Sequence, residues 1–241
     1  LSAVFQAELV AGEAPFDILH CHFATLAEHV FKLKAAGLLS GRTVVHFRGY
    51  DITEVVHAFG PRIYDLLWPK TDRFVANREH FRERAVSIGC PPDRIDVVGS
   101  GIELASFEYR PPLPPSPGPV RIIGVGRLSK RKGFHTLIEA LAILDRTGVK
   151  AQLTLIGDGE ERQRLEKLAQ DRGIDDRVLF KGALPHARVA KELAASHIFA
   201  APSETSPAGG LDAPTNTIKE AMAIGVPVCA TKHGGIPELV E

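Results

Sequence analysis

The chain of 241 residues is long enough to bury a sizeable core, and its length allows either one domain or two. Its composition, 44% hydrophobic and 24% charged, is typical of an ordinary globular protein and excludes a disordered or fibrous chain. Lysine plus arginine and aspartate plus glutamate both count 29, so no net positive charge indicates nucleic acid as a partner. An anionic ligand would therefore need a local cationic site.

Hydropathy and cysteine usage indicate the cellular compartment in which the protein is expected. The longest apolar stretches are interrupted well short of a membrane span, and the sequence opens without a signal-peptide pattern. Cys21, Cys90 and Cys229 are odd in number, far apart and outside any CxxC spacing. This pattern favours three buried thiols over a disulfide or a metal, and it predicts a cytoplasmic protein.

In the first 110 residues, short apolar runs alternate with segments of helical period. The predicted strands are Asp17–His20, Thr43–Phe47, Arg73–Ala76 and Ile95–Val98. The predicted helices between them are Ala24–Ala36, Ile52–Trp68 and Arg78–Ile88, with Pro61 as a candidate break in the second.

A proline-dense segment, PPLPPSPGP at residues 111–119, ends this series. Because proline has no backbone N–H and a fixed φ, neither a helix nor a central strand can run through it. We interpret the segment as a stiff interdomain linker; a long surface loop within one domain is the alternative. The predicted domains are therefore residues 1–110 and 120–241.

The alternation resumes after the linker. The predicted strands are Val120–Val125, Ala151–Ile156, Val178–Phe180, Ile198–Ala201 and Val226–Ala230, and the predicted helices are Phe134–Leu144, Glu160–Asp171, His186–Ala195 and Thr215–Ile224. Strictly alternating strands and helices predict an α/β protein with two Rossmann-like domains, parallel sheets flanked by helices, and a cleft between them. Ligands of such sheets bind beyond the carboxyl ends of the strands.

The first candidate site is a glycine-rich loop after the strand Val120–Val125. The segment Gly124–Phe134 reads GVGRLSKRKGF, and a helix is predicted to begin near its end. Arg127 and Lys132 supply two cations with no carboxylate between them, and together with the N–H groups of the helix they would hold a diphosphate. The spacing fits neither GxGxxG nor GxxxxGK[ST], and a solvated basic turn is the alternative.

The second candidate site carries two carboxylates. In Asp212–Ala223 (DAPTNTIKEAMA), Asp212 lies on a loop and Glu220 lies eight residues later in a predicted helix. Eight helical residues span roughly 12 Å, so only a bend between loop and helix could bring both carboxylates to one ligand. Carboxylates accept hydrogen bonds from sugar or ribose hydroxyls. The alternative is a helix cap at Asp212 and an exposed Glu220.

Several short blocks now occur in an order that resembles a known family, the retaining GT-B glycosyltransferases of family 4, also called group 1. In the second half these blocks are Gly126–Leu128 with Lys132–Phe134, Gly157–Gly159, Val178–Gly182, Ala201–Ser203, Glu220–Ala223, Gly225–Val228 and Gly234–Glu238. In the first half, Asp17–Phe23, Phe47–Asp51 and Val98–Glu103 resemble the blocks of the acceptor domain. The resemblance covers nearly the whole chain, and it implies a GT-B fold.

The resemblance implies roles for particular residues. Arg127 and Lys132 would bind the diphosphate of a nucleotide-sugar donor, Glu220 would bind the ribose hydroxyls, and Asp212 would contact the donor sugar. Asp212 departs from the family, which has a glutamate here, and Pro214 departs from its glycine-containing loop. The implied nucleotide-binding set also includes Gly182, Thr215, Asn216 and Thr217.

A further departure lies in the acceptor domain. Many relatives carry a histidine immediately before Gly-Tyr-Asp, and Arg48 stands there in this chain, two residues after His46. Arg48 cannot accept a proton, but it could stabilise the departing phosphate; a strand-end arginine paired with Asp51 is the alternative. His20, His22 and His46 could suggest a metal, but without a carboxylate cluster or a fixed spacing we predict none.

The resemblance therefore implies an enzyme that moves a sugar from a nucleoside diphosphate sugar to an acceptor hydroxyl, with retention of configuration. Two cations would stabilise the leaving diphosphate, and since the chain contains no DxD we expect neither a metal nor another cofactor. The expected acceptor is a sugar, a lipid-linked species or another hydroxyl compound, with peripheral contact at the inner membrane face left open.

Three other interpretations remain at this point. The chain starts at Leu1 without methionine and ends at Glu241 in what reads as the opening of a helix, so we expect it to be truncated at both ends. It would then be a nucleotide-sugar-binding protein or an inactive homologue. A hydrolase or epimerase with the same fold is the second possibility. A dinucleotide-dependent oxidoreductase is the third, although its GxGxxG is absent.

Overall fold

The structure, a computed structural model, describes residues 15–114, 117–212 and 216–240. Contacts between residues divide it into two compact units. The first contains residues 15–100 and 207–212, and the second contains residues 101–206 and 216–240. Each unit has its own parallel sheet.

The sheet of the first unit has four strands in the order β1-β2-β3-β4, all parallel. The strands are β1 Ile18–Cys21, β2 Arg42–Phe47, β3 Arg73–Ala76 and β4 Ile95–Val97, and the helices are α1 Ala24–Ala35, α2 Glu54–Phe59 and α3 Glu79–Ser87. Apolar side chains from β2 and β3, including Phe47 and Phe74, pack with α3 residues such as Phe81 in one buried core. Parallel strands covered by helices read as continuous apolar runs, and this is why the sequence predicts them well.

The sheet of the second unit has five parallel strands in the order β7-β6-β5-β8-β9. The strands are β5 Val120–Val125, β6 Ala151–Ile156, β7 Val178–Phe180, β8 Ile198–Ala201 and β9 Val228–Ala230, and the helices are α4 Phe134–Arg146, α5 Arg162–Asp171, α6 His186–Ala194 and α7 Asn216–Ile224. Two separate cores show that helices cover both faces. One core includes Leu141 of α4 and Leu165 of α5, and the other includes Leu193 of α6 and Ile218 of α7.

The structure differs from the sequence prediction in a few local features. The helix predicted at Ile52–Trp68 is shorter: α2 ends at Phe59, and a 3₁₀ turn, Pro61–Tyr64, follows it. Gly60 between them has φ +86°, and Pro61 has no N–H, so the helical hydrogen bonds cannot continue. The last strand begins at Val228 rather than at Val226.

The contacts change from the first unit to the second between Ser100 and Gly101, ahead of the proline-rich segment that the sequence predicts as the linker. Phe107 already packs on a core of the second unit, and Arg110 donates its backbone N–H to the Ile224 oxygen at 2.9 Å. Residues 207–212, which the sequence assigns to the second domain, group with the first unit because Leu211 packs against its core. Residues 115 and 116 lie outside the described part of the chain.

None of the helices within the described ranges combines the length and the apolarity that a membrane crossing requires.

Candidate active site

The strand order of the second unit defines one position where the chain reverses its direction across the sheet. From β5 the chain moves to β6 and β7 on one side, and then returns to β8 and β9 on the other. The loops after β5 and β8 therefore run in opposite directions and leave a crevice at their carboxyl ends, where ligands of doubly wound sheets bind. The predicted glycine-rich loop is the loop after β5.

Glycines allow the loops at this edge to approach one another closely. Gly133, the last residue before α4, has φ +62°, and a Cβ on it would lie 2.0 Å from the carbonyl oxygen of Pro202, which follows β8. A Cβ on Gly157, which follows β6, would lie 1.9 Å from the Gly126 oxygen. The crevice is thus lined by backbone, with the amino terminus of α4 directed towards it.

The two predicted phosphate ligands occupy this loop in different ways. Lys132 ends a 3₁₀ turn, Lys130–Lys132, and its side chain passes Gly126, with Cε 3.5 Å from where a Cβ on that glycine would stand. Arg127 has an exposed side chain (74%) whose Nε and Nη2 each lie 3.3 Å from Oε2 of Glu160.

Glu160 adds a contact that the sequence prediction does not contain. The loop itself contains no carboxylate, but Glu160, three residues after the Gly157 turn, supplies one to Arg127. Its own backbone N–H, and then the positive charge of Arg127, lower the pKa of the Glu160 carboxyl. A phosphate group would compete with this exposed carboxylate for the guanidinium.

Glu220 lies on the buried face of α7 beside Ile218 and Ala221, and its side chain is only 8% exposed. The alternative interpretation of Glu220 as an exposed residue is therefore wrong. Its Oε1 lies 3.2 Å from Nε2 of His186, the first residue of α6, and the His186 ring packs edge-on against Phe107 at 5.4 Å. A buried carboxylate requires a polar partner, and His186 supplies it from the surface.

The sequence interpretation did not identify His186. One available signal was its position at the start of a helix that follows the carboxyl end of a strand, β7, at the ligand-binding edge of the sheet.

The remaining members of the predicted nucleotide-binding set differ in what the structure shows. Gly182 follows β7 with φ +66°, and its oxygen accepts the Gly157 N–H at 2.8 Å, which joins the loops after β6 and β7. Asn216 and Thr217 open α7, and the Asn216 side chain accepts a hydrogen bond from Lys219 at 3.3 Å. Thr215 lies outside the described residues.

Two predicted site residues, Asp212 and Arg48, belong to the first unit. Asp212 is buried, at 5% exposure. Its role beside Glu220 on one ligand stays a prediction.

Arg48 follows β2 in a turn organised by Asp51. The Asp51 carboxylate accepts the backbone N–H groups of Arg48 at 2.9 Å, Gly49 at 3.1 Å and Ala24 at 2.9 Å. Burial raises the pKa of Asp51, although these hydrogen bonds oppose the shift. Arg48 therefore contacts Asp51 through its backbone N–H. The Arg48 guanidinium points to His22 instead, and its Nη1 lies 3.0 Å from Nδ1 of His22.

His20, His22 and His46 come together in the first unit at the carboxyl ends of β1 and β2. The sequence interpretation predicted no metal here because the histidines have neither a carboxylate cluster nor a fixed spacing. The spacing is set by strand register instead, which linear sequence does not display.

Two family models match the chain. The model described as glycosyl transferases group 1 matches residues 106–241, and the model described as glycosyltransferase family 4 matches residues 1–106. The boundary between the two matches lies close to that between the two units.

Curated relatives match over most of the chain. The putative colanic acid biosynthesis glycosyltransferase WcaL of Salmonella typhimurium is 33% identical over 227 residues, which cover 93% of this chain and 55% of the relative. The amylovoran biosynthesis glycosyltransferase AmsK of Erwinia amylovora is 31% identical over 99% of this chain and 59% of its own length. The chain thus spans somewhat more than half the length of these relatives.

Solved structures confirm the fold. Anabaena HepE, in complex with UDP and glucose, matches with a TM-score of 0.75 at 23% identity, over 99% of this chain and 64% of that one. Sucrose-phosphate synthase of Thermosynechococcus elongatus matches with a TM-score of 0.77 at 21% identity, over 98% and 61%. These matches, together with the two helix-flanked parallel sheets of this chain, confirm the predicted GT-B class.

Proposed function

We propose, since the chain belongs to the glycosyl transferase group 1 family, that its protein transfers a sugar from a nucleoside diphosphate sugar to an acceptor hydroxyl in polysaccharide biosynthesis. The observation that carries the proposal is the loop after β5, where two cations and a helix amino terminus meet at the position where the sheet reverses. WcaL and AmsK are named for the biosynthesis of two such polysaccharides, and the HepE structure holds UDP and glucose.

The donor diphosphate would bind at Arg127 and Lys132. Arginine suits two-point contact with phosphate oxygens, and lysine adds a mobile point charge. The pair of Arg127 with Glu160 is weak enough for a diphosphate to displace, because both side chains are exposed and solvent screens their attraction. The buried Glu220 carboxylate would accept hydrogen bonds from the ribose hydroxyls, with His186 holding its orientation.

The reaction would depend on charge stabilisation as the bond to the leaving diphosphate breaks. Arg127 and Lys132 would stabilise the developing negative charge, and removing one such group typically slows a reaction by about 100- to 1,000-fold. Asp212 would contact the donor sugar, and Arg48 would add positive charge near the departing phosphate. We propose further that the anomeric configuration of the donor sugar is retained and that no metal ion is needed at the diphosphate.

The acceptor hydroxyl would belong to a sugar or to a lipid-linked species, and the protein would act on the cytoplasmic side. With a lipid-linked acceptor, the protein would make peripheral contact with the inner face of the membrane.

A panel of nucleotide sugars, with candidate acceptors and with or without EDTA, tests this function. We expect acceptor-dependent release of nucleoside diphosphate and a glycosylated product, both unaffected by EDTA. Release without an acceptor would indicate a hydrolase, and isomerised donor would indicate an epimerase; either result would refute transfer.

Single-residue variants test whether the nucleotide binds at this site. Arg127→Ala and Lys132→Ala should each weaken binding of the nucleoside diphosphate by about 10- to 100-fold in calorimetry, since each removes a charged hydrogen bond. Lys150→Ala is a matched control, because it removes the same charge just before β6, at the opposite edge of the sheet. Equal losses in the control and in the site variants would contradict the assignment.

A further inference from the structure

The histidine cluster of the first unit is a consequence of strand register. His20 and His22 are two residues apart, so successive pleats place their side chains on the same face. β1 pairs with β2 in parallel, with His20 opposite Val44, and the same register carried two residues further places His46 beside His22. Three imidazoles thus come from two adjacent strands, with no need for a sequence motif.

The distances are close to those that a metal ion requires. One ring nitrogen of each histidine lies within 4.8 Å of the others, and the ring centroids are 4.2, 5.6 and 5.8 Å apart. Tetrahedral zinc with Zn–N bonds of about 2.0–2.1 Å places its nitrogens about 3.3 Å apart. Side-chain rotations of the exposed His20 and His22 that move their ring nitrogens by about an ångström would bring these nitrogens towards that spacing around the buried His46.

His46 provides an independent indication of a ligand. Its side chain belongs to a residue only 9% exposed, and neither of its ring nitrogens has a hydrogen-bond partner. Native proteins rarely bury an imidazole in this state, and a metal ion is one partner that would satisfy it. Burial lowers the pKa of His46 to about 4, and burial also lowers the pKa of His20.

The backbone that presents His22 is also unusual. Phe23, the next residue, has φ +148°, a conformation that non-glycine residues rarely adopt. Strain of this kind persists where the surrounding structure holds a functional group in place.

Arg48 opposes the entry of a cation. Since a guanidinium can only donate, Nδ1 of His22 accepts the hydrogen bond from Arg48 and carries no proton. That unprotonated nitrogen is the one able to bind a metal, so Arg48 and a metal ion would compete for it.

We propose that His20, His22 and His46 form a binding site for a divalent metal ion of the zinc class, with the fourth coordination position open. Imidazole nitrogens suit zinc, cobalt, nickel and copper rather than magnesium or calcium. The three histidines belong to the first unit, whereas Arg127 and Lys132, which we propose to bind the diphosphate, belong to the second.

Titration of the full chain with Co²⁺, followed by visible absorption, and with Zn²⁺ against a chromophoric chelator tests the proposal. The parent for all variants should be Cys229→Ala, because Cys229 is an exposed thiol that could itself bind zinc. We expect one equivalent of metal, and d–d bands from nitrogen and oxygen ligands without a thiolate charge-transfer band.

His20→Ala and His22→Ala should each weaken metal binding at least tenfold; both side chains are exposed, so these variants should fold. His29→Ala, an exposed histidine of α1 outside the cluster, is the matched control and should bind as the parent does. Arg48→Ala should bind metal more tightly. Binding that is equally retained in the His20 and His29 variants, or the absence of one-to-one binding at micromolar metal, would overturn the proposal.

Discussion

Gly133→Ala should both destabilise the protein and weaken nucleotide binding at the proposed site. Gly133 has φ +62°, and a left-handed conformation costs a non-glycine residue about 1–2 kcal/mol. Its new Cβ would also lie 2.0 Å from the Pro202 oxygen, so the loop after β8 and the start of α4 must move apart by roughly 1 Å. Overpacking of this kind costs about 1–3 kcal/mol, so the free energy of unfolding should fall by about 2–5 kcal/mol in all.

Gly173→Ala separates the two contributions. Gly173 has φ +68°, close to that of Gly133, but no atom lies within 4 Å of its Cβ position. This control pays only for the backbone conformation, about 1–2 kcal/mol. The difference between the two variants therefore measures the contact with Pro202.

Urea unfolding followed by far-UV circular dichroism is the assay, since the single tryptophan, Trp68, belongs to the first unit and would not report directly on the second. Calorimetric titration with UDP adds a functional measurement. We expect Gly133→Ala to lose at least tenfold in affinity and Gly173→Ala to stay within twofold. Equal loss of stability in the two variants, or unchanged UDP affinity in Gly133→Ala, would refute the reasoning.

Three further predictions concern single contacts. Glu160→Gln should tighten UDP binding by up to about fivefold in calorimetry, because it removes the carboxylate that competes for Arg127; weaker binding would contradict this. At pH 8, Ellman's reagent should modify the exposed Cys229 quickly and Cys90 only after unfolding, since burial raises the Cys90 pKa to about 12; two fast thiols would argue against it. Asp51→Ala should lower the free energy of unfolding by about 3 kcal/mol in urea and Asp51→Asn by less, because the amide oxygen still accepts hydrogen bonds; equal losses would count against the turn described here.

The sequence predicts the elements of the second unit well for a physical reason. The bounds of Val120–Val125, Ala151–Ile156, Val178–Phe180 and Ile198–Ala201 are those of the structure. Three of these strands end directly before a glycine or a proline, namely Gly126, Gly157 and Pro202, so turn-forming residues mark their limits in the sequence. The helix predicted at Ile52–Trp68 fails because its apolar residues continue past Gly60, where the backbone leaves the helical conformation.

The prediction of the diphosphate site rests on one local segment of the sequence. Arg127 and Lys132 lie within a loop whose glycines and following helix are all visible in eleven consecutive residues. Glu160 and His186 were missed because each contacts its partner across more than 30 residues of sequence, through the packing of different strand ends. Contacts of that kind depend on sheet order, and the apolar pattern of single strands carries no record of sheet order.

Arg127 and Arg48, the two arginines of the predicted site, each hold a hydrogen-bond partner that a ligand could replace. Arg127 contacts Glu160 and Arg48 contacts His22, and in both cases the hydrogen bond is exposed to solvent. Such contacts set the direction of a long side chain and are weak, because solvent screens the interaction between exposed groups. Under the proposed function, a diphosphate would offer several oxygens and a formal negative charge to the Arg127 guanidinium, so it could replace Glu160. We therefore expect ligand binding here to exchange one partner for another with little rearrangement of the loops, whose positions Gly133 and Asp51 already fix.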